Sequence, residues 1–253
     1  MRCSARNAGD LMGFEMSKRT IIIGDIHGCN RELCTLLDQV CLEKDDRLIL
    51  LGDLFDRGSE SREVFRTVKH LAEDLGDRFV LLRGNHEDFL LQEKLTLRQR
   101  MIWDRVGRGA TVESFRRYGE RMEDTIPWIS DHCRMFWREE GLQCVHAGLL
   151  VDPIEANDTH TLIHDHGIAL RNCYTGPLTV VGHIALEAPT WFVGDEKTAE
   201  ELAYIEWNPL PTRGVVCIDT GAGKGGWLTA MIVEDGENGR RFRLERASWQ
   251  ERA

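Results

Sequence analysis

The sequence predicts an α/β sandwich, with two central sheets and helices on their outer faces. Three observations predict it. In the first half of the 253 residues, short apolar runs alternate with amphipathic helical patterns. Five short glycine-containing segments each follow one of the apolar, β-branched runs. The C-terminal part returns to closely spaced apolar runs with glycine-rich turns between them.

Residues 1–17 (MRCSARNAGDLMGFEMS) hold no long apolar stretch, so they are neither a signal peptide nor a membrane span. They read as a disordered extension, with Met16 a candidate natural start, ahead of one catalytic domain over 18–253. TIIIG at 20–24 is a strand pattern, followed by Leu33, Leu36, Leu37 and Val40 at helical spacing. RLILL at 47–51 is the next buried strand, and Val64, Phe65, Val68, Leu71, Ala72 and Leu75 mark a second helix. FVLL at 79–82 is the third strand, and a helix begins at Glu87. This alternation implies βαβ crossovers and parallel pairing. In such sheets ligands gather at the carboxyl ends of the strands.

The segment 98–141 is polar, rich in arginine and contains Trp103, Trp128 and Trp137. It reads as helical, a cap over the site. Strand patterns resume at 142–145, 178–181, 215–219, 228–233 and 242–244. The last of these, with turns at 221–226 and 236–239, read as hairpins of a second sheet.

A net charge of −10 and a pI near 5.4 argue against nucleic acid or an anionic membrane as partner. The eight cysteines include no CxxC pair. With no secretory signal, they are expected to be reduced thiols in a cytoplasmic protein.

The five segments are GDIHG at 24–28, GDLFDRG at 52–58, GNHE at 84–87, HAG at 146–148 and VGH at 181–183. Together they supply Asp25, His27, Asp53, Asn85, His146 and His183. This oxygen and nitrogen set suits two divalent ions side by side, with Asp53 as the bridging carboxylate. Asp25 and His27 would face one ion, and Asn85, His146 and His183 the other. A hydroxide bridging the ions would be the nucleophile in a direct hydrolysis of a phosphoester. Without a thiolate, the donors suit Mn²⁺, Fe or Zn²⁺, with Mn²⁺ favoured.

On these segments the chain resembles the phosphoprotein phosphatase branch of the calcineurin-like metallophosphoesterases, nearest to bacterial and phage members similar to lambda protein phosphatase. The resemblance runs over roughly 20–234 and includes GATVESF at 109–115 and CIDTGAGKGGWLTAM at 217–231. It implies the four-layer α/β/β/α sandwich of that family. It also implies that His86 is the general acid, that Asp56 holds His86 charged, and that Arg57 binds phosphate. Arg83 would assist with phosphate or pair with a nearby carboxylate. Glu87 would support the site from behind.

One departure stands out. Relatives carry a phosphate-binding arginine in an LLWxR-like segment, where this chain has TLIHDHGIALRN at 161–172. His164 or His166 takes the approximate place, and Arg171 lies further on. His160, His164 and His166 read otherwise as a partly solvated loop.

The expected activity is a metal-dependent Ser/Thr or Tyr protein phosphatase acting on a phosphoprotein or a small phosphoester. Asp56 and Glu87 weigh for it. The alternative is symmetrical bis(5'-nucleosyl)-tetraphosphatase activity, the hydrolysis of diadenosine tetraphosphate on the same metals. A non-catalytic metal-binding scaffold would show a broken ligand set, and none of the set is missing. The acidic balance also counts against a nuclease.

Overall fold

The computed structural model describes residues 19–167, 174–194, 198–204 and 206–248. The proposed extension over 1–17, together with Cys173 and Arg171, lies outside them. In chain order the elements are β1 (Thr20–Ile23), α1 (Asn30–Val40), β2 (Arg47–Leu50), α2 (Ser61–Leu75), β3 (Phe79–Leu82) and α3 (Asn85–Leu91). Next come α4 (Leu97–Arg105), α5 (Arg108–Arg116), α6 (Ile126–His132), β4 (Cys133–Arg134), β5 (Phe136–Glu139), β6 (Leu142–Val145) and α7 (Thr159–His164). The chain continues through β7 (Thr179–Val181), β8 (Thr190–Val193), β9 (Thr198–Glu201), β10 (Asn208–Pro209), β11 (Val215–Cys217), β12 (Trp227–Gly236) and β13 (Gly239–Ser248).

Two mixed sheets result, flanked by helices. The first runs β10-β13-β12-β1-β2-β3-β4 and the second β5-β6-β7-β11-β8-β9. The period-two geometry of a strand explains how they stack. In β1, Ile21 and Ile23 point to the helix side, where they meet Leu33 and Leu36 of α1 and Val64 and Val68 of α2. Ile22 points the other way, into the layer between the sheets, with Ile49, Val180, Val216 and Met231. A strand covered on both faces must be apolar throughout, which is why β1 reads as a continuous run. A third cluster joins α7 through Leu162 and Ile163 to Val145, Val181 and Cys217 on the outer face of the second sheet.

The C-terminal hairpin corrects one expectation. β12 and β13 belong to the first sheet, where β12 runs antiparallel to β1 with Ile22 opposite Met231. The local pattern identifies the hairpin, but not the edge on which it docks. β12 is apolar on both faces: Leu228, Ala230 and Ile232 pack on the helix side, and Met231 and Val233 between the sheets. That suits an interior position beside β1. The second sheet is instead completed by β5, β8 and β9, whose half-buried residues gave no clear run.

No described helix is long and apolar enough to cross a membrane.

Candidate active site

The loops that follow β1, β2, β3, β6 and β7 carry the residues singled out in the sequence, and the parallel register brings those loops to one end of the sandwich. The turns are sharp. His27, Asp53, Asp56, Arg57 and His183 all have left-handed backbone, with φ of 46°, 51°, 72°, 65° and 69°. Two glycines permit the close packing beneath them. A Cβ on Gly84 would fall 2.2 Å from Asp53 Oδ1, and one on Gly182 would fall 2.1 Å from Asp25 Oδ1.

Asp53 occupies the middle. Its Oδ2 lies 3.5 Å from His27 Nε2, and its Oδ1 lies 3.5 Å from His146 Nε2. Among the described residues, two clusters hold their donor atoms within 4.8 Å of one another: His27, Asp53 and His86, and Asp53, His146 and His183. Asp53 belongs to both. Asn85 Oδ1 is 3.2 Å from His146 Nε2. Asp25 Oδ2 is 3.8 Å from His27 Nε2, while its carboxylate accepts the His183 amide at 3.0 and 3.1 Å. The structure therefore brings all six proposed donors into one buried neighbourhood.

The imidazoles are arranged for ligation. His27 Nδ1 lies 2.8 Å from the Phe55 carbonyl and His146 Nδ1 lies 2.8 Å from the Leu51 carbonyl. A carbonyl only accepts, so each Nδ1 carries the proton and each Nε2 turns a lone pair to the site. His27 Nε2 and His183 Nε2 are buried without a hydrogen-bond partner. Burial lowers the pKa of His27, His146 and His183, the last to about 2. Neutral rings with Nε2 atoms gathered around a central carboxylate are what a divalent ion requires. The donor set fits a metal centre.

His86 is treated differently by its surroundings. Burial opposes its charge, but Asp53 and the hydrogen-bonded Asp56 outweigh burial and raise its pKa. His86 Nδ1 is 2.6 Å from Asp56 Oδ2. The surroundings thus shift the two kinds of imidazole in opposite directions, down for His27, His146 and His183 and up for His86.

Asp56 is fully buried and held from the segment read as a cap. Trp103 Nε1 donates to Oδ2 at 2.6 Å, and Thr111 Oγ1 donates to Oδ1 at 2.6 Å. The helices α4 and α5 therefore fix the residue behind His86. Sequence reasoning missed both donors, because contacts spanning 47 and 55 residues leave no local signal.

Glu87 lies behind the site, as expected. It accepts the amides of Asp53, Leu54 and Gly84 at 2.7, 2.8 and 3.1 Å. Burial, with Asp53 nearby, raises its carboxyl to about 7.

Arg57 Nη1 is buried and unpartnered. Arg83 Nη2 pairs with Asp88 Oδ1 at 2.5 Å. Asp88 Oδ2 in turn lies 2.9 Å from His164 Nε2. His166 is exposed but stacks on His183, with ring centroids 4.4 Å apart and planes 24° apart. The histidine segment is thus tied to the site rather than simply solvated. Asp219, which the sequence reading passed over, is 2% exposed beside these groups.

Residues 18–210 match the calcineurin-like phosphoesterase family. The chain belongs to that family. Among relatives of this calcineurin-like phosphoesterase, the symmetrical bis(5'-nucleosyl)-tetraphosphatase of Coxiella burnetii (strain Dugway 5J108-111) is 29% identical over 210 residues, 81% of this chain and 66% of the relative. The chain thus spans just under two thirds of that relative's length. A metallophosphoesterase from Sphaerobacter thermophilus superposes with a TM-score of 0.61 at 17% identity, covering 92% of this chain and 89% of its own. A candidate diadenosine tetraphosphatase superposes at 0.59 with 18% identity, covering 94% and 96%. At such identities the two structures speak for the fold.

Proposed function

We propose that this calcineurin-like phosphoesterase is a two-metal hydrolase that cleaves dinucleoside tetraphosphates symmetrically. The support for the substrate is the tetraphosphatase relative that aligns over 81% of the chain. This reverses the order of the two readings drawn from the sequence. Asp56 and Glu87 weighed there for a phosphoprotein substrate. Both carboxylates are buried and turned inward, Asp56 onto His86, Trp103 and Thr111 and Glu87 onto backbone amides. Their hydrogen-bond partners are internal, so in this reading neither touches the substrate directly.

In this reading Asp25 and His27 would hold one ion and Asn85, His146 and His183 the other, with Asp53 placed to serve both. Two divalent ions, with Mn²⁺ the first to test, would neutralise phosphate charge and acidify the attacking water. Arg57 grips a non-bridging phosphate oxygen through its unpartnered Nη1. His86 delivers a proton from Nε2 to the departing oxygen, and Asp56 retains the Nδ1 proton and stabilises the cation before transfer.

The test is turnover of diadenosine tetraphosphate beside a phosphothreonine peptide, with Mn²⁺ and with a chelator. Faster dinucleotide turnover, giving two molecules of ADP and abolished by the chelator, supports the proposal. Faster peptide turnover overturns the substrate and leaves the site.

A further inference from the structure

Asp219 follows β11 and is 2% exposed. Its Oδ1 accepts the Gly221 amide at 2.9 Å, but its Oδ2 is buried without a hydrogen-bond partner. The backbone around it presses on the site from one side. A Cβ on Gly24 would lie 3.6 Å from the Asp219 Cα, so the residue springs from chain packed against the Asp25 turn. A Cβ on Gly223 would lie 2.5 Å from His27 Cβ and 3.0 Å from Arg57 Cβ. The loop 219–223 therefore closes over the first half of the site, against both the β1 and the β2 loops.

A buried carboxylate oxygen without a donor is costly unless a cation or a bound water completes it. Asp219 Oδ2 is such an oxygen, and it belongs to a loop packed against the Asp25 turn and against His27, so the place calls for a cation or a water that a cation holds. Asp25 reaches His27 Nε2 at 3.8 Å, whereas Asp219 approaches no imidazole of the site so closely, which assigns it an outer position.

We infer that Asp219 is a positioning residue of the metal centre, its Oδ2 accepting a hydrogen bond from a water on the ion that Asp25 and His27 hold. The inference rests on the two-ion reading of the site. Outer partners of this kind are worth roughly 10- to 100-fold in metal affinity.

The experiment is calorimetric titration of the full-length apoprotein with MnCl₂, beside thermal melting of the same samples. Asp219→Asn keeps the acceptor for Gly221 and removes only the charge. It should take one of the two ions at least tenfold more weakly, with the apoprotein melting at or above the wild-type temperature. Two ions at wild-type affinity would overturn the role of Asp219 alone. Wild-type protein that takes no ion would overturn the two-ion reading together with it. Should the Asn variant melt early, Asp219→Ser, which also keeps an acceptor for Gly221, is titrated in its place. Wild-type affinity there overturns the inference equally.

Discussion

Trp103 and His86 converge on one oxygen: the indole Nε1 and the imidazole Nδ1 each lie 2.6 Å from Asp56 Oδ2. An acceptor shared in this way fixes the imidazole ring from α4, outside the loops that carry the proposed donors. Trp103→Phe preserves the apolar contact with Phe89 and deletes the donor. It should lower stability by about 1–2 kcal/mol and reduce kcat several-fold with KM unchanged, since hydrogen bonds to charged groups contribute about 1.5–3 kcal/mol. Steady-state kinetics with denaturant melts check this. An unchanged kcat would leave Trp103 a packing residue.

His86→Asn should separate two kinds of leaving group. General acid catalysis contributes about 10²- to 10⁴-fold, and most where the departing oxygen is basic. A nucleoside diphosphate leaves as a phosphate that titrates near about pH 6, so it needs less help than an alkoxide. The variant should lose about 100-fold on an alkyl phosphomonoester and under tenfold on diadenosine tetraphosphate, read as single-turnover rates. Equal losses on both would remove His86 from the acid role.

Glu87→Gln places an NH₂ group against a backbone N–H whichever way the amide turns, because both Glu87 oxygens accept backbone amides. We expect a loss of about 1–3 kcal/mol by denaturant unfolding, the scale of a buried donor left unpaired. A neutral result would mean the loop rearranges around the amide.

Metal should couple to folding. At a free ion concentration 100 times the dissociation constant, a site present only in the folded chain adds about 2.7 kcal/mol of stability. Added Mn²⁺ should raise the melting temperature and EDTA should lower it. His183→Ala, which removes a donor with a free Nε2, should shrink the shift. A melting point indifferent to both reagents would contradict the metal centre.

The Asp88 network gives a pH signature. Burial opposes ionisation of Asp88, but His164, Gln92 and Arg83 outweigh it and lower its pKa. A lowered carboxyl stabilises the fold fully above its unfolded value of about 3.9 and loses that contribution as pH falls through the folded value. Asp88→Asn should therefore be less stable than wild type at pH 7, by roughly 0.5–1 kcal/mol after solvent screening. The two should converge in strong acid. A gap that persists at low pH would assign the effect to packing.

Much of this was legible in the chain. The apolar runs of β1, β2 and β3 fall within a residue of the observed strands, because strands buried on both faces must be continuously apolar. The donors could be read because glycine, turn and ligand lie next to one another in sequence. Other features leave no such trace. Trp103 and Thr111 reach Asp56 from distant helices, and Asp219 lies in a glycine-rich turn without a histidine neighbour. The place of the β12–β13 hairpin depends on an open edge at β1, which only the assembled sheet reveals. Asp56 and Glu87 gave no sound guide to substrate preference, because their partners are internal.

The left-handed backbone at His27, Asp53, Asp56, Arg57 and His183 bears on how the site comes into being. Each such residue costs on the order of 1 kcal/mol relative to its relaxed conformation, and none of these five is glycine. No isolated loop would hold that shape, since only the surrounding sheets and helices enforce it. The site therefore assembles with the whole sandwich or not at all. A chain that loses the sandwich loses these five conformations, and the arrangement of the site, with it.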